Sequence, residues 1–174
     1  MENQNSSRIK LTYGIILGII LVGISVVNYL YGDIYNQSRA VGLVTKAVFI
    51  GAIVWAIKLV KEENSGILSV NDAVKTGLAI GLIAGLVVAV YQYIEITYLA
   101  PDFIEKAKLV QEEVMLQSNP DMSEEELEMA LNMSAMITKP TVITALRIAG
   151  NLIGGLIVGA IAGLIMKKEE VEFQ

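Results

Sequence analysis

The sequence predicts an all-α polytopic membrane protein: a four-transmembrane-helix bundle with an extracytoplasmic helical hairpin between helices 3 and 4. Three observations carry that prediction. Hydrophobic residues make up 54% of the chain, and mean hydropathy is +0.58. The apolar residues gather into four long runs, each reaching the roughly 20 residues that cross a hydrocarbon core of about 30 Å. A polar, acidic insertion separates the third run from the fourth. A soluble domain of this length rarely contains several such runs.

The spans fall at about 11–31, 40–60, 74–99 and 141–166, within a single membrane domain covering 1–174. The first is too long for the apolar core of a signal peptide and has no small-x-small cleavage site, so it is expected to remain as an anchor. It reads "YGIILGIILVGISVVNYLY", and Gly14, Gly18, Ser25 and Asn28 share one side of its helical wheel. In the second span Gly42 and Lys46 share a side, while Trp55 points almost oppositely, towards lipid. In the third, Gly77, Gly81 and Gly85 form a stripe continued by Val88, Gln92 and Glu95. Glu95 lies 18 residues, five whole turns, beyond Gly77.

The insertion, about 102–139, is expected to be helical. Phe103, Ala107, Val110 and Val114 recur at helical spacing before "SNPD" breaks the chain at Pro120. Ser123 and Glu126 have the N-cap and N3 relation of a capping box, and Leu127, Leu131 and Ser134 define a second weak face. Met115, Met122, Met129, Met133 and Met136 offer either an adaptable binding surface or ordinary packing. The acidic group Glu124, Glu125, Glu126 and Glu128 reads as a solvated helix N-terminus rather than a cation site. In the fourth span Arg147, Asn151, Gly155, Gly159 and Gly163 make an unbroken i, i+4 ridge. Spans one and three both open on Gly-x-x-x-Gly and close on tyrosines. The similar ends "KLVKEE" and "IMKKEE" of spans two and four complete a pattern that fits two tandem helical hairpins, although apolar glycine-rich helices also converge on it.

Two rules select the same helix faces. Small residues let helix backbones approach closely where lipid supplies no hydrophobic force, so Gly14, Gly18, Gly77, Gly81, Gly85, Gly155, Gly159 and Gly163 are expected to be packing positions. Ionisable side chains within spans face the bundle interior, because facing lipid costs several kcal/mol. Counted from the outer ends of their spans, Glu95, Lys46 and Arg147 all lie about 9–10 Å deep at 1.5 Å per residue. They define a candidate buried polar cluster, Glu95, Lys46, Arg147, Asn151, Gln92 and Asn28, with Tyr91, Tyr93 and Tyr98 near the acid. A structural ion pair with a snorkelling lysine, an outward-opening pocket and a lipid-headgroup site all fit this pattern.

Arg8, Lys10, Lys58, Lys61, Lys75, Lys167 and Lys168 outweigh Arg39, Lys106, Lys108 and Lys139 on the other side, so both termini are expected in the cytoplasm and residues 100–140 outside it. The chain has no cysteine and no histidine. No thiolate, disulfide or imidazole chemistry is available to it, and no catalytic residue, metal ligand set or cofactor is predicted. The net charge of −5 argues against nucleic acid. The expected partners are the lipid bilayer and either a second copy or another membrane protein.

Four spans, glycine-patterned first and fourth helices and the stretch "YLAPDFIEKA" opening the insertion resemble the domain-of-unknown-function 4199 proteins, an uncharacterised membrane family found mainly in Bacteroidota. The resemblance covers nearly the whole chain and implies the topology and residence in a bacterial inner membrane; it supplies no catalytic residues. The expected function is therefore a non-enzymatic helical bundle for interaction or assembly. The alternative is a small transporter or channel subunit acting as a homo-oligomer, with the polar cluster open to the outside.

Overall fold

The computed structural model describes residues 4–32 and 38–168. Among these the elements are α1 (Gln4–Tyr31), α2 (Arg39–Glu63), α3 (Val70–Ile94), a π-helical turn (Glu95–Leu99), α4 (Phe103–Ser118), α5 (Glu124–Ile137) and α6 (Pro140–Met166). Four are long and apolar enough to cross a membrane: α1, α2, α3 with its π turn, and α6. The helices outrun the apolar segments at their polar ends. In hydrocarbon every backbone N–H and C=O must be satisfied within the segment, so a spanning helix continues until a capping or breaking signal stops it. Those signals are local. The Ser38 hydroxyl accepts from the Ala40 N–H to start α2, and the turn after α2 holds Ser65 and Gly66 at positive φ (56° and 82°).

The chain divides into two compact units, 1–88 with 147–174, and 89–146, the boundaries falling within α3 and α6. The first unit is a four-helix bundle. Its core contains Leu17 and Leu21 of α1, Ile53, Ile57 and Val60 of α2, Ile80, Ala84 and Val88 of α3, and Ala162 of α6. The outward surface is equally apolar, with Ile19, Leu43, Trp55 and Ile165 all exposed. An apolar surface on both sides of the helices is what lipid requires, and the packing is then set by shape rather than by water exclusion.

Shape is supplied by glycine. A methyl group on Gly77 would strike the Gly155 carbonyl oxygen, and one on Gly159 would sit 2.7 Å from the Ala73 carbonyl oxygen. Gly81, Gly155 and Gly163 are similarly closed by backbone of the facing helix, so α3 and α6 pack antiparallel with backbone against backbone. Gly85 is closed by Asn151 Cβ at 3.2 Å. Gly14 and Gly18 of α1 instead receive side chains of α3, Ile83 and Val87, with would-be contacts of 2.7 and 2.6 Å.

Polar contacts gather at one end of this unit. Asn5 Nδ2 donates to Glu63 Oε2 (3.0 Å), and Lys61 Nζ donates to the Met166 carbonyl (2.8 Å), capping the end of α6. Leu68 and Lys168 exchange backbone hydrogen bonds of 3.0 Å in an isolated antiparallel bridge. The start of α1 and the end of α6 therefore lie at the same end of the bundle.

The second unit contains the π turn, α4 and α5. Ser123 caps α5 through a complete capping box: its hydroxyl accepts from the Glu126 N–H, and its own N–H donates to the Glu126 carboxylate (3.0 Å). That bond, reinforced by one from the Ser123 hydroxyl, holds the Glu126 carboxyl below the ordinary glutamate value. α4 and α5 touch through the Ser134 hydroxyl, which donates to Gln111 Oε1. The covered side of α4 keeps Phe103 and Ala107 of the expected apolar set but continues through Gln111 and Met115, leaving Val110 and Val114 exposed. A weakly amphipathic helix carries no apolar stripe strong enough to fix its rotation.

Candidate functional site

In the first unit, a groove of about 390 Å³ runs between α1, α2, α3 and α6. Its size is within the range of small-ligand sites, about 300–1,000 Å³. The two helices that carry cations into it do so from equivalent positions, Lys46 near the start of α2 and Arg147 near the start of α6. Asn151 lies one turn below Arg147, and its Nδ2 donates to the Arg147 carbonyl at 2.9 Å. Ser25 and Thr45 also line the groove, each hydroxyl donating to the carbonyl four residues earlier on its own helix, Leu21 (3.1 Å) and Val41 (2.8 Å). These hydroxyl protons are committed to backbone, which leaves the Lys46 ammonium and the second N–H of Asn151 as donors the groove can direct.

The opposite end is apolar, lined by Leu21, Phe49, Ile157 and Val158. Arg147 and Val158 are eleven residues apart on α6, a rise of about 16 Å. The groove is thus polarised along its length. Gly150 and Gly154 keep it open from the α6 side: a methyl on Gly150 would meet nothing within 4 Å, and one on Gly154 would meet the Phe49 ring at 3.1 Å. Neither glycine belongs to the Arg147–Asn151–Gly155–Gly159–Gly163 ridge. Their role depends on what faces them, which the wheel of a single helix does not show; their i, i+4 spacing is the one signal they give.

The remaining members of the candidate polar cluster are Asn28, Glu95 and Gln92. Asn28 lines a separate apolar groove of about 670 Å³ between α1 and α2, with Tyr31, Ala40 and Val44. Glu95 and Gln92 belong to the second unit. There the Tyr91 hydroxyl donates to Glu95 Oε1 (3.2 Å), and Glu95 opens the π turn, its carbonyl accepting from the Ala100 N–H (2.8 Å). The π turn has no signature in the residue pattern, which reads as ordinary helix up to Pro101. Such turns arise where a helix absorbs an extra residue, and they recur at functional positions. Within it the Thr97 hydroxyl is buried and has no hydrogen-bond partner among the described residues.

No group of histidine, cysteine, aspartate or glutamate side chains that could hold a metal ion occurs among the described residues. Fold and surface together define a helical protein of the membrane-spanning class, with a glycine-packed bundle and a cation-bearing groove. Residues 12–168 match the family described as Protein of unknown function (DUF4199), and the chain belongs to that family. No curated protein and no solved structure matches it.

Proposed function

We propose that this protein is a non-enzymatic helical bundle of the bacterial inner membrane that assembles with another membrane protein or with a second copy of itself. The observation that carries this reading is a methionine ridge on α5. Met129, Met133 and Met136 follow one another at i, i+4 and i+7, and are 62, 66 and 67% exposed. Thioether side chains are flexible and polarisable, and adapt to a partner surface without a preset shape. A run of exposed apolar side chains in a segment outside the spans supports an interaction surface there.

In this reading α4 and α5 form an extracytoplasmic hairpin within residues 100–140, and both termini are cytoplasmic. The gathering of Lys58, Lys61, Lys167 and Lys168 towards the end of the bundle that holds the polar contacts supports that orientation under the positive-inside rule. The bilayer is the second partner, and an acidic chain is not expected to bind nucleic acid.

The absence of native cysteine makes the test direct. Met133→Cys in native membranes, treated with a bifunctional thiol- and amine-reactive reagent, should give a discrete adduct. Met129→Glu in the same background should reduce its yield several-fold. A Met133→Cys protein that stays monomeric at normal abundance would rule the ridge out as a contact surface.

A further inference from the structure

We infer that the Lys46–Arg147 groove holds an anionic phospholipid of the surrounding bilayer, its phosphate at the cationic end and an acyl chain along the apolar end. Three observations lead there. Lys46 has no hydrogen-bond or ion-pair partner among the described residues, although it lies within an apolar span. A cation at that depth is costly unless it is wetted or offered a counter-charge, so Lys46 gains from an anion seated beside it. Arg147 brings a second positive charge to the same groove, and Asn151 brings an amide that can hydrogen-bond a phosphate oxygen.

The second observation is polarity along the groove. Beyond Asn151 the lining changes to Phe49, Ile157 and Val158, which suits an apolar chain and gives nothing to a small hydrated anion. The third is access. Ile50 and Ile157 line the groove and are also among the exposed large apolar side chains of α2 and α6, at 48 and 52%. In a membrane those faces meet lipid, so a lipid enters sideways without passing through water. Basic pockets between spanning helices bind lipid headgroups by this combination of charge and apolar wall.

The experiment titrates the purified full-length chain in mild detergent with phosphatidylglycerol or phosphatidylethanolamine and counts bound lipid by native mass spectrometry. Phosphatidylglycerol should bind at least about tenfold more tightly than phosphatidylethanolamine. Lys46→Gln, an exposed position, should weaken phosphatidylglycerol about fivefold through loss of one headgroup-facing charge. Gly150→Leu leaves both cations in place, meets no atom within 4 Å at its Cβ and fills the groove, so it should abolish the bound lipid while the melting temperature holds. Equal binding of the two lipids would overturn the inference. So would wild-type phosphatidylglycerol binding in Gly150→Leu, or displacement of the lipid by an equal concentration of inorganic phosphate, which would assign the groove to a free anion. Because Lys46 and Gly150 lie outside α5, the outcome is independent of the methionine ridge.

Discussion

A single methyl group separates two classes of glycine in this bundle. At Gly77 the facing atom is a backbone carbonyl oxygen, which has no rotamer to escape into, so Gly77→Ala must push α3 and α6 apart along their contact. Gly51 faces open space, and Gly51→Ala adds a methyl to the lipid-facing surface. Gly77→Ala should therefore cost about 1–3 kcal/mol, the usual range for overpacking, and lower the melting temperature in detergent. Gly51→Ala should melt at or above wild type. Equal melting of the two variants would mean that the close approach of α3 and α6 does not hold the fold. Sequence spacing picked out Gly77 and the ridge on α6, but gave Gly150 and Gly154 no separate meaning. The difference between a packing glycine and a groove-opening glycine lies in the facing helix.

At the level of elements, α5 is set by local chemistry and α4 is not. The Ser123–Glu126 box is legible as four letters and forms as written, because both bonds close within one turn. Ser123→Ala should cost about 1 kcal/mol of helix stability. The box also makes α5 sensitive to acid. The folded Glu126 carboxyl titrates below its ordinary value, so its contribution is fully present above the ordinary glutamate range and is lost as pH falls through the depressed folded value. Amide exchange in the first turn of α5 should accelerate on acidification through that window. In Glu126→Gln, which keeps an accepting oxygen but no titration, the acceleration should vanish; its persistence would assign the effect to other carboxylates. The π turn at Glu95–Leu99 had no comparable signal, since a widened turn is decided by what the helix must accommodate on either side.

For the molecule as a whole, topology rests on charge and on the shared end of the bundle. Asn64→Cys lies in the turn after α2 and Asn119→Cys in the link between α4 and α5. An impermeant maleimide should label the second in intact spheroplasts and the first only after lysis. Labelling in the reverse order would invert the proposed orientation and place the α4–α5 pair in the cytoplasm.

Hydrophobic run length alone determined the four spans, because a hydrocarbon core imposes the same minimum length and the same internal hydrogen bonding on any chain. Residue period alone determined which glycines share a ridge, because every helix turns by the same angle. Tertiary structure decided the rest. It set α3 against α6 through backbone contact and seated Lys46, Arg147 and Asn151 together at one end of a groove. It also placed Asn28 in a different groove. Depth and helical angle are properties of one helix, whereas a site is a property of several, and its partners follow from which faces the close-packed backbones leave open.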